Sequence, residues 1–144
     1  MFVLGAMAPV PANAFAASPP NDNRANARPL GSLPATVTGT TVEASLEARD
    51  PYACRSYGGS VWYRLESPTQ RAVSVILDAK DDLDAVVAVY RAQRSQLPLV
   101  TCRATDRRGK AGLAFRAEKD ATYFILVAQQ PQSDPGSFQL DVFA

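Results

Sequence analysis

Residues Ser60–Pro68 read SVWYRLESP and hold the only tryptophan of the 144-residue chain. At a period of two, Val61, Tyr63 and Leu65 fall on one face and Ser60, Trp62, Arg64 and Glu66 on the other. The apolar trio marks a strand that fills a core. Trp62 then points to the opposite side, where two readings stay open. Either the lead-in or the Tyr52–Tyr57 loop covers it, or it stands bare as a platform for a ligand, with Arg64 close enough for a cation–π contact.

The same alternation recurs along the chain between turn residues. The pattern predicts strands over Thr41–Ala48, Ser60–Glu66, Ala72–Asp78, Asp84–Arg91, Leu97–Ala104, Gly112–Ala117, Thr122–Gln129 and Ser137–Phe143. Val73, Val75 and Leu77 alternate with Ser74, Ile76 and Asp78, and Phe138, Leu140 and Val142 with Gln139 and Asp141, as expected of a sheet with one wet face. The runs AVVAVY (85–90) and YFILVA (123–128) are apolar on both sides and belong in a central position or under a covering loop. Ser67-Pro68, Lys80-Asp81-Asp82, Arg108-Gly109-Lys110 and Ser133-Asp134-Pro135-Gly136 supply the breaks. Nothing longer than a turn at Arg91–Gln96 carries a helical stripe. The expected fold is an all-β antiparallel sandwich, jelly-roll-like, of about eight strands.

Composition narrows the chemistry. Hydrophobic residues at 47% and charged residues at 20% fit a folded domain, and a formal charge of +1 gives no electrostatic case for nucleic acid. There is no histidine, which removes Ser-His-Asp and Cys-His catalysis and the usual zinc sites. Ser74 and Ser95 lack an activating base. No later stretch has the length of an apolar membrane span.

The opening MFVLGAMAPVPANAFAAS has an apolar run followed by Ala12-Asn13-Ala14 and Ala14-Phe15-Ala16, both of the small-x-small form cut by signal peptidase. Residues 1–16 therefore read as the remnant of a secretory signal, 17–40 as a lead-in segment with a first edge strand, and 41–144 as the sandwich. A secreted or extracytoplasmic location, in the periplasm or at the cell surface, follows. Cys54 and Cys102 are the only cysteines, and in an exported chain they are expected to pair, which would contribute about 4 kcal/mol.

NDNRANARPL (21–30), GTTVEASLE (39–47), SVWYRLESP (60–68), LDAVVAVYR (83–91), ATYFILVA (121–128) and GSFQLDVF (136–143) follow one another in an order and spacing that resemble the bacterial pre-peptidase C-terminal domain. The resemblance runs from Asn21 to Phe143. It implies a jelly-roll-like sandwich without catalytic activity, serving as an accessory module that holds a neighbouring domain or binds matrix protein or polysaccharide. Related collagen-binding modules of bacterial collagenases bind calcium. Asn21 and Asp22 match half of that ligand set, whereas Tyr57-Gly58-Gly59-Ser60 offers no acid for the other half.

Three functions are in view. The first is a noncatalytic module, a monomer without cofactor, that binds or supports a protein or a matrix or cell-surface component. The second is a carbohydrate-binding module using Trp62, Arg64, Tyr52 and Tyr57. The third is a small hydrolase using Asp81, Asp82 and Asp84, a cluster that equally suits a solvated turn. The basic loop Arg103, Arg107, Arg108 and Lys110 also reads as a turn, since Asp106 sits within it and no aromatic residue interleaves.

Overall fold

The computed structural model describes residues 17–47, 50–51, 54 and 58–144. Among them lie nine strands and a single short 3-10 turn, Arg24–Asn26. The strands are β1 Arg28–Pro29, β2 Ala35–Thr40, β3 Ser60–Ser67, β4 Arg71–Ala79, β5 Ala85–Arg91, β6 Leu99–Ala104, β7 Lys110–Ala117, β8 Ala121–Gln129 and β9 Ser137–Phe143. They form a larger sheet in the order β1-β3-β8-β5-β6 and a smaller one in the order β2-β9-β4-β7. All of these pairings are antiparallel except the short β1–β3 contact, which is parallel.

The main core lies between the sheets. Val61, Tyr63 and Leu65 of β3, Val73, Val75 and Leu77 of β4 and Phe138, Leu140 and Val142 of β9 all fall in it, as the period-two reading requires. The runs with apolar residues on both faces occupy the centre of the larger sheet, β8 and β5. Their outward side chains Ala88, Tyr90, Leu126 and Ala128 make a second cluster with Trp62 and with Ala27 of the lead-in. Covering both faces is what permits a strand to be apolar throughout.

The expected strand over Thr41–Ala48 is not one. Residues 41–47 form a turn and loop in which Glu43 has φ 61°, a left-handed value that an extended strand excludes. Val42 and Leu46 are exposed, and only Ala44 rests against the main core. The strand lies just upstream in β2, whose register against β9 runs from Ala35↔Val142 to Thr40↔Ser137. The turn expected at Arg91–Gln96 is an isolated bridge between Gln93 and Gln96, not a helical turn.

Close approach fixes Gly39 and Gly59, among others. A Cβ on Gly39 would overlap the Tyr63 hydroxyl and the Phe138 ring, and one on Gly59 would overlap the Ala44 carbonyl.

Candidate functional site

Trp62 has no exposed surface. Its backbone N–H donates to the Asn21 carbonyl at 2.9 Å, and the Asn21 side-chain amide donates to the Trp62 carbonyl at 2.9 Å. The lead-in thus adds itself alongside β3 and lays Ala27 against the indole cluster. Tyr90 meets the indole at a centroid distance of 5.9 Å and Phe124 meets it edge-on at 6.3 Å. The cation over the ring is Arg24, 5.9 Å from its centroid, and not the expected Arg64. Arg64 instead faces Glu66 at 3.7 Å, in an exposed and long ion pair. Of the two readings of Trp62, the covered one holds and the bare platform does not: the lead-in lies against the ring. Tyr52 and Tyr57 lie outside the described residues, as does the expected signal remnant, 1–16.

Cys54 and Cys102 are joined in a disulfide, their Cα atoms 6.1 Å apart. Cys102 lies on the edge strand β6 and packs against the indole cluster, so the bridge ties the loop before β3 to that side of the sheet. Asp50 adds a second tie. This buried acid accepts from the Ser60 hydroxyl at 2.8 Å and from the Glu47 N–H at 3.1 Å. Burial pushes the Tyr90 hydroxyl up to about 12, and the negative charge of Asp50 acts in the same direction. Burial likewise raises Tyr63, against weaker opposing effects of Asn21 and Arg28.

Of the acids singled out in the sequence, Asp22 and Asp81 are structural fasteners, and Asp82 is an exposed turn residue. Asp22 accepts from the Ser45 N–H at 2.6 Å and from the Ser45 hydroxyl at 2.8 Å. Asp81, at φ 57°, accepts from the Ser137 N–H and hydroxyl at 3.2 and 3.1 Å. Asp84 uses its backbone, donating to the Ser133 hydroxyl at 2.8 Å. Among the described residues no three acids, cysteines or histidines converge on a common point. Of the half ligand set that the resemblance implies for calcium, Asn21 ties its amide nitrogen to the Trp62 carbonyl and Asp22 its oxygens to Ser45, and among the described residues no group of three acids includes them. In the basic loop, Asp106 accepts from the N–H groups of Lys110 and Arg108 at 3.0 and 2.8 Å, and these bonds hold its carboxyl below the usual range.

Two hollows remain. A slot of about 500 Å³ separates the lead-in prolines Pro19, Pro20 and Pro29 from Thr38, Gly39 and Thr40 of β2, with Tyr63 among its walls. The larger one, about 760 Å³, lies at the end of the sandwich where β3 turns into β4. Gly31–Leu33, Ser67-Pro68 and Asp120–Thr122 surround it, and Arg64, Glu66 and Arg71 reach into it. Arg71 continues the core-facing row of Val73, Val75 and Leu77 to the end of β4. Its stem therefore starts between the sheets and its head emerges at this end. No pattern along the chain foretells this cleft, because the residues that build it come from separate turns.

Fold and bridge together define a disulfide-bonded β-sandwich module. No protein-family model matches the chain, and no curated protein matches it in sequence. Solved structures do. The pre-peptidase C-terminal domain of a collagenase from Bacillus anthracis is similar at TM-score 0.58 and 13% identity, over 81% of this chain and 93% of that one. The Yersinia pseudotuberculosis-derived mitogen is similar at TM-score 0.52 and 14% identity, over 78% and 87%. PliG of Aeromonas hydrophila, a periplasmic inhibitor of g-type lysozyme, is similar at TM-score 0.50 and 15% identity, over 81% and 94%. At these identities the likeness is one of fold, and the fold is the one that the sequence resemblance implies.

Proposed function

We propose that this protein is a noncatalytic module of the cell exterior that binds or supports a protein, matrix or cell-surface component. The observation that carries the reading is the Cys54–Cys102 bridge across a sandwich of this fold. Such a bond persists in oxidising compartments, and it ties the loop before β3 to the edge strand β6. The noncatalytic part is supported by Asp81, whose carboxylate is engaged by Ser137 rather than held across a cleft from a second acid. The structures it resembles include an inhibitor that acts on another protein and a domain attached to a collagenase. For a carbohydrate-binding role, the buried Trp62 withdraws the expected stacking ring.

The test is to immobilise the purified protein and measure retention of extracellular matrix proteins and envelope polysaccharides by interferometry, beside fractionation of the producing cells. Saturable retention of one of these, with the protein outside the cytoplasm and both thiols unreactive, is expected. A cytoplasmic protein with free thiols and no retained component overturns the reading.

A further inference from the structure

Arg71 is unusual among the basic side chains. Its Nε is shielded from solvent and bonded to nothing among the described residues. The ion pairs of the described residues engage Arg64, Lys80, Arg91 and Lys110, and Arg71 is in none of them. A guanidinium donor withdrawn from water without an acceptor is costly, and the same side chain lines the open 760 Å³ cleft, where a ligand would meet the rest of its fork.

The other charges of the cleft narrow what would fill it. Arg64 lines the same hollow, held only by its long contact to Glu66, and Asp120 enters no ion pair of the described residues. Two guanidinium groups suit the planar fork of a carboxylate. Glu66 and Asp120 oppose a doubly charged phosphate, yet accept from hydroxyl groups placed beside a single negative charge. The cleft is open and polar, with Pro68 and Leu33 as its apolar wall, and lacks the enclosed apolar socket that anchors a peptide side chain.

We infer that this cleft is a saccharide subsite, in which Arg71 and Arg64 take the carboxylate of an acidic sugar residue and Glu66 and Asp120 take its hydroxyl groups. The inference rests on the binding-module reading and names its ligand class and its place.

Titration calorimetry with trigalacturonate, its methyl ester and neutral galactotriose tests it. Trigalacturonate should bind the native protein. Esterification and Arg71→Met should each weaken binding by about tenfold or more, the loss expected for a charged hydrogen bond. Arg71→Met keeps the stem, and a melting curve checks that it folds. Lys110→Gln, on the other sheet, should leave binding unchanged. Absence of binding by uronate oligomers, equal binding of acid and ester, or full affinity in Arg71→Met overturns the site. Competition at equal strength by a short acidic peptide overturns the sugar class. If Arg71→Met still retains the same matrix or envelope component as the native protein, the module reading survives and the cleft does not.

Discussion

The two sheets have opposite relations to water. The larger one carries the indole cluster on its outer side, under the lead-in, whereas the smaller one has an outer face left bare by the described residues. On that bare face the cross-strand rows are Thr36–Asp141–Ile76–Gly112 and Thr38–Gln139–Asp78–Lys110. Its order is polar: Thr36 donates to Asp141 at 2.7 Å, Gln139 donates to Asp141 at 3.1 Å, and Lys80 and Lys110 both pair with Asp78. The contrast explains which strands alternate and which do not. It also assigns the tryptophan to a second, smaller core rather than to the surface, so that the covered side carries much of the stability.

The largest expected effect breaks the cover at its centre. Trp62→Ala should destabilise by about 3–5 kcal/mol, whereas Ile76→Ala on the bare face should stay within about 0.5 kcal/mol; urea unfolding compares them. Losing the bridge in the Cys54→Ser, Cys102→Ser double variant should cost about 2–4 kcal/mol by the same measurement, and comparable stability to the native protein would deny the tie its role.

The sheets should also respond to opposite ends of the pH scale. Tyr90 on the covered side has a raised value, so its contribution is present below about 10, falls as pH rises, and is lost towards 12. The carboxyls of Asp78 and Asp141 on the bare face are lowered, by Lys110 and Lys80 in the first case and by Thr36 and Gln139 in the second. Their contribution is present above the ordinary value of 3.8 and disappears as pH falls below it. Melting temperature against pH should therefore show a shallower alkaline fall in Tyr90→Phe, with Tyr63 keeping part of it, and an unchanged one in Asp141→Asn. The smallest effect is at the latch: Asp22→Ala should cost about 1 kcal/mol and raise Trp62 emission quenching by acrylamide.

Most of the sandwich was legible because burial stamps a period on the chain. Val61, Tyr63 and Leu65, or Phe138, Leu140 and Val142, announce by their spacing alone which face is dry. The error at Thr41–Ala48 has the same origin. Val42, Ala44 and Leu46 alternate as a strand would, but only Ala44 is used by the core. The true strand, ATVTGT, offers a single buried valine among threonines and a glycine, too little apolar contrast to register. Site residues were harder still. Arg71, Glu66 and Asp120 are joined by the ends of different strands, and the arginine over Trp62 comes from a lead-in whose path along β3 leaves no periodic trace.

The place of β9 has a consequence for timing. It lies between β2 and β4 in the smaller sheet, and β2, near the start of the chain, has no other strand partner among the described residues. Thr36 meets Asp141 across 105 positions of sequence. Until the last strand leaves the ribosome, β2 has no neighbour to pair with and the smaller sheet cannot close. A sheet closed by so distant a pairing forms late, after the strands on either side of β9 have been made.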